Sequence, residues 1–132
     1  MQKIERGYSD MKEMNQLYWI KKEIKQIQQE LEELSELNSS QMTGMPHSKK
    51  TISPVERLAE QKIRLQHNLE IILDRYIKER ERIEKIISNV EDAEIRVLAR
   101  KRFIDNEDYT QISREEHMDR TTVYKKLKKY FG

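Results

Sequence analysis

Leu17, Ile20, Ile24, Ile27, Leu31 and Leu34 follow one another at intervals of three, four, three, four and three residues. That alternation keeps apolar side chains on one narrow stripe of an α-helix, the seam of a coiled coil. A strand cannot present them together, because its side chains alternate faces every second residue. Between the seam positions stand Lys21, Lys22, Glu23, Lys25, Glu30, Glu32 and Glu33, so the rest of the surface is solvated. The pattern predicts a long amphipathic helix ending at residue 37. Met11 and Met14 extend the stripe backwards, and Tyr18 and Trp19 are placed to anchor one end of a packed pair.

The rhythm stops over residues 38–53, where Gly44, Pro46 and many short polar residues favour turns over helix propagation. A flexible connection is expected there. A second helix then opens with Ser53, Pro54 and Glu56: an N-cap, a first-turn proline and the acid that completes a capping box. Its seam runs through Val55, Leu58, Leu65, Leu69, Ile72, Tyr76, Ile83, Ile86 and Val90, about 50 Å of helix over residues 54–90. Lys62 and Glu79 interrupt it, and they fix its register if they are paired. A helix this long cannot bury its stripe alone. It pairs with the first helix as an antiparallel hairpin, or with another copy as an intermolecular coiled coil, so a homodimer through the long helices is expected.

Residues 91–132 change character. One helix carries Ile95, Leu98, Ala99 and Phe103 and stops near Asp105 and Asn106, asparagine being tolerant of the left-handed conformation. A short helix follows at about residues 110–116 with Ile112 inward, then a tight turn near His117 and Met118. The last helix begins at Asp119 and buries Val123, Leu127 and Tyr130. The predicted fold class is therefore all-α: residues 1–37 and 54–90 as two long helices, 38–53 as a linker, and 91–132 as a compact three-helix module with helix-turn-helix geometry. A module of that size is near the limit for folding alone and should lean on the end of the second helix or on a partner.

The whole chain, 38% charged, carries a formal charge of only +2, and residues 91–132 hold 10 basic and 9 acidic residues. The final helix breaks this balance with Arg120, Lys125, Lys126, Lys128 and Lys129 and no carboxylate. A local charge of this kind is a footprint for phosphates. If Val123, Leu127 and Tyr130 face inward, then Arg120, Thr121, Tyr124 and Lys125 stand where such a helix meets base edges in the major groove. Lys128 and Lys129 are better placed for phosphate, as are Thr110 and Gln111 at the start of the preceding helix. The partner expected is double-stranded DNA.

Other chemistries are excluded or unsupported. Without cysteine the chain has no disulfide, thiol nucleophile or Cys-zinc site. His47, His67 and His117 are isolated from one another, the carboxylates are interleaved with cations, and no phosphate-cradling glycine loop or nucleophile elbow occurs. No enzyme activity, cofactor or metal is expected. No apolar run is long enough to span a membrane and no signal peptide opens the chain, so a membrane partner is not expected either.

The stretch Arg100, Lys101, Arg102, Phe103, Ile104 and Asp105, then Tyr109 to Ser113, then Met118 to Tyr124, resembles the region-four helix-turn-helix of sigma factors. With Gly44, Met45, Pro46, Pro54 and the long second helix, residues 40–132 resemble the RinA-like late-gene transcriptional activators of phages and prophages of Gram-positive bacteria. The resemblance implies promoter binding and activation in a bacterial cytoplasm, with contact to RNA polymerase. It places Arg120, Thr121, Tyr124 and Lys125 on the DNA-reading surface. Two positions depart from the pattern: Glu116 stands where a leucine is usual and His117 where a glycine is usual. Glu116 is expected to turn outward, or the turn to shift. The readings from other classes are a small terminase-like DNA-packaging subunit, which would form a large ring, and a coiled-coil adaptor whose basic tail binds an acidic partner.

Overall fold

In the computed structural model, residues 11–41 and 53–132 are described, and throughout these residues the chain is helical, without a strand. The helices are α1 (Met11–Met14), α2 (Gln16–Gln41), α3 (Pro54–Ser88), α4 (Ala93–Ala99), α5 (Tyr109–Glu116) and α6 (Arg120–Phe131), with a π-helical turn, Arg100–Ile104, following α4 directly. They fall into two compact units, one of residues 21–75 and one joining the described residues up to 20 with residues 76–132.

In the unit of residues 21–75, Ile27 and Ile72 are buried and Ile24, Leu31, Leu34, Leu65 and Leu69 are half-buried. Leu34 and Leu37 of α2 and Leu65 of α3 line one cleft with Glu33, Arg64 and Asn68. The seam positions of both helices therefore turn inward, as their spacing predicts. Helix α2 runs four residues past the expected stop at residue 37, through Asn38 to Gln41. The rest of the expected linker, residues 42–52, lies outside the described residues. The capping box of α3 forms in full: the Ser53 amide donates to Glu56 Oε1 at 3.1 Å and the Glu56 amide to Ser53 Oγ at 3.2 Å.

The other unit has a continuous core. Met14, Leu17, Ile83, Ile87, Ile95, Leu98, Ala99, Phe103, Ile104, Ile112, Val123, Leu127 and Phe131 are all buried in one cluster. Phe103 and Phe131 meet edge to face at 5.4 Å between ring centroids, a favoured geometry for the π quadrupole. The C-terminal helices thus share their core with α3 and with the start of α2. Glu79 pairs with Arg82, and Arg82 Nη2 also donates to the Glu13 carbonyl at 3.3 Å. The interrupting acid of the seam is thereby tied, through its neighbour, to the backbone of α1.

Several expectations are corrected here. Tyr18 and Trp19 do not anchor a packed pair: both are exposed, Trp19 by 60%, and they stack edge to face on each other at 5.0 Å. The first helix is interrupted at Asn15. In α6 the third core residue is Phe131, with Tyr130 only half-buried against the cluster. The π-helical turn has no counterpart in the sequence reading. The Asp105 amide bonds the Arg100 carbonyl at 2.9 Å, five residues back, and this wider turn lets consecutive Phe103 and Ile104 both point inward. The stop itself is as expected: Asn106 is left-handed, φ 59°, and its side-chain amide donates to the Phe103 carbonyl at 3.3 Å.

Candidate nucleic-acid interface

Helix α5 begins at Asp108, whose carboxylate accepts from the Gln111 amide at 2.8 Å. It ends at His117, which adopts the left-handed conformation at φ 56° and ψ 46°. Glycine is usual there because any Cβ strains this region. Histidine is held in it by the Met118 amide bonding the Ser113 carbonyl at 3.2 Å and by the Ser113 hydroxyl donating to the Met118 carbonyl. Asp119 is the N-cap residue of α6, but its side chain makes no cap hydrogen bond. Glu116 does turn outward: it pairs with Lys101 at 2.8 Å, beside Glu115, which pairs with the same ammonium.

With Val123, Leu127 and Phe131 buried, Arg120, Thr121, Tyr124, Lys125, Lys128 and Lys129 of α6 are all exposed. Lys126 turns to the flank and pairs with Glu94 of α4 at 3.0 Å. Arg120 Nη1 and Thr110 Oγ1 stand 3.5 Å apart, so these two candidates from different helices meet. Gln111 is exposed too, but its side-chain amide donates to Glu115 Oε2 at 3.3 Å, on the acidic flank of α5.

Tyr124, 41% exposed, rests its ring edge to face on Tyr109 at 5.8 Å. Lys128 Nζ lies 5.7 Å from the Tyr124 centroid, and the Arg102 guanidinium lies 4.3 Å from that of Tyr109. Arg102 is itself fixed by donating to the Glu107 carbonyl at 2.9 Å. A ladder of two stacked rings with a cation at each end therefore runs from the π-helical turn across α5 to α6 and sets the tilt of Tyr124. Burial pushes the Tyr109 hydroxyl above its ordinary pKa, and Arg102 opposes that shift. Sequence reasoning missed Tyr109 and Arg102, whose only signal was sequence proximity to a helix stop. It also missed Arg114, exposed on α5 four residues after Thr110 and so on the same side of that helix.

Charge is segregated around this face. Burial, then the hydrogen bond with Glu115, raises the Glu107 pKa; Lys101, then Glu107, lowers that of Glu115. Hydrogen bonds that Lys101 donates to Glu115 and Glu116 raise its own pKa. These acids are engaged beside the cationic face. Among the described residues no cluster of His, Asp and Glu is suited to a metal ion, and no helix is long and apolar enough to cross a membrane. No protein-family model, curated protein or solved structure matches the chain.

Proposed function

We propose that the chain is a sequence-specific regulator of transcription that grips double-stranded DNA with its C-terminal helices. In this reading α5 and α6 are the two helices of a helix-turn-helix, with α6 in the major groove, and α2 and α3 form an antiparallel hairpin. One observation carries it: α6 exposes Arg120, Thr121, Tyr124, Lys125, Lys128 and Lys129 and holds no acid. Arg120 and Thr121, in its first turn, read base edges, with Arg120 suited to guanine. Tyr124 and Lys125 follow one turn on. Lys128, Lys129 and Thr110 contact phosphate and fix the register of the protein on the duplex. Gln111 joins them once its amide leaves Glu115.

The likeness of residues 100–124 to sigma region four extends the proposal to activation of phage or prophage late genes, with RNA polymerase as second partner in a bacterial cytoplasm. No catalytic step is assigned to the chain.

Selection of bound fragments from genomic DNA by the purified full-length chain yields an enriched motif. On that motif, log affinity falls linearly with log salt concentration. Arg120→Ala relaxes discrimination at one base pair, at a cost of about 1–3 kcal/mol, whereas Lys128→Ala weakens all sequences alike and lowers the salt slope by about 1. Wild-type binding by both variants overturns the assignment.

A further inference from the structure

Helix α3 carries a second stripe that the seam does not use. Glu56, Ala59, Ile63, Gln66, Glu70, Leu73, Ile77 and Arg80 succeed one another at intervals of three and four residues, and every one of them is exposed. Ile63, Leu73 and Ile77 keep 66%, 40% and 55% of their surface open. Isolated apolar residues on a surface need no explanation, but three at coiled-coil spacing on one face of one helix describe a contact. The sequence leads to a dimer through the long-helix seam. The seam residues are buried or half-buried in the single chain, so the open apolar side chains that a second copy could meet lie on a different face.

We propose that this stripe is a homodimer interface in which α3 packs antiparallel against α3 of a second copy about a two-fold axis at residue 68. A two-fold interface is isologous, so each contact occurs twice with the roles exchanged. In this register Ile63 meets Leu73 of the other copy, Gln66 meets Glu70, Ala59 meets Ile77 and Glu56 meets Arg80. The apolar positions thus meet one another, the small residue faces a large one, and the outermost layer pairs opposite charges. The central glutamate faces an amide able to donate to it. A parallel pairing of the same stripe sets Glu70 against Glu70, Arg80 against Arg80 and Glu56 against Glu56, like charges in three layers, so charge selects the antiparallel arrangement and a second copy as its occupant. Within the single chain Glu56 accepts from the Ser53 amide and Arg80 donates to the Tyr76 hydroxyl at 3.4 Å. The interface is independent of DNA binding.

Sedimentation of the full-length chain across a range of concentrations tests this. The wild type sediments as a dimer. Leu73→Glu raises the dimer dissociation constant about a hundredfold or more, because two buried contacts are lost and two acids enter an apolar layer. Its circular dichroism stays that of the wild type, since Leu73 is exposed in the single chain. Ile71→Glu serves as control. Ile71 is 42% exposed, but it lies about 200° round the helix from Leu73, and its replacement leaves the dimer intact. The chain lacks cysteine, so engineered thiols report the register. Ile63→Cys combined with Leu73→Cys gives a covalent dimer on oxidation, and neither single variant does. The two thiols of one copy are about 15 Å apart along the helix and cannot bridge. A wild-type monomer or larger assembly, a Leu73→Glu dimer as tight as wild type, or preferential self-linking of the Leu73→Cys variant each overturns the proposal.

Discussion

The two units bury their apolar residues in different ways. In the unit built on α4, α5 and α6, thirteen side chains form one cluster, with Phe103, Ile112, Val123 and Leu127 inaccessible to solvent. Among the described residues of 21–75 only Ile27 and Ile72 are buried, and the other seam residues keep part of their surface open. The long helices leave part of each seam side chain open, while the short helices of the C-terminal unit close over theirs. Charge divides along the same line. Cations and acids intermingle on α2 and α3, but α6 is wholly cationic and its neighbouring acids are engaged with Lys101. A closed core lets one helix devote an entire side to charge. A long helix with a narrow apolar stripe needs mixed charges to stay solvated and helical.

The sharpest way to break this contrast is a matched pair of truncations followed by denaturant unfolding. Phe103→Ala removes a fully buried ring and is expected to cost about 3–5 kcal/mol, whereas Leu65→Ala, from a half-open seam, costs about 1–1.5 kcal/mol. Equal costs would show that the seam is as closed as the core. Next in size is the electrostatic contrast. Lys125→Glu with Lys128→Glu lowers duplex affinity about a hundredfold at moderate salt, while Lys25→Glu on α2 leaves it unchanged in the same fluorescence anisotropy titration. A comparable loss from Lys25→Glu would dissolve the distinction.

A smaller effect sharpens the account of the turn. His117→Gly relieves the left-handed strain and raises stability by about 0.5–1 kcal/mol in thermal unfolding. The smallest is pH-dependent. Because burial raises the Glu107 pKa above 4.5, its protonated form favours the fold, and that contribution is complete below 4.5 and is lost as pH climbs through the raised value. Glu107→Gln therefore raises the melting temperature at neutral pH and not at acid pH. Glu115 is shifted the opposite way, so Glu115→Gln lowers the melting temperature at neutral pH and ceases to matter once pH falls below the depressed value.

What the sequence discloses is what periodicity and capping control. The seams of α2 and α3, the Ser53 and Glu56 box, the left-handed Asn106 and the outward turn of Glu116 all follow from spacing and local chemistry. The end of α1 and the start of α2 joining the C-terminal core through Met14 and Leu17 is a contact between residues far apart in the chain, which no local pattern encodes. Tyr130 and Phe131 are adjacent at the end of a helix, and three-four spacing admits either; the Phe103 ring selects Phe131. At the candidate interface, helical phase identifies the exposed side of α6. The ladder that tilts Tyr124 depends on Arg102 and Tyr109 meeting across a π-helical turn, and it becomes visible only in three dimensions.

That turn also makes spacing a determinant in its own right. One extra residue in a helical turn rotates everything after it by about 100°. Removing a single residue from the segment Arg100–Ile104 would leave every side chain of α5 and α6 chemically intact, yet Phe103 and Ile104 could no longer both face inward and Arg102 would swing off the Tyr109 ring. The aim of the cationic helix is set upstream, by a count of residues, and a one-residue deletion there should disable it as surely as replacing its arginine.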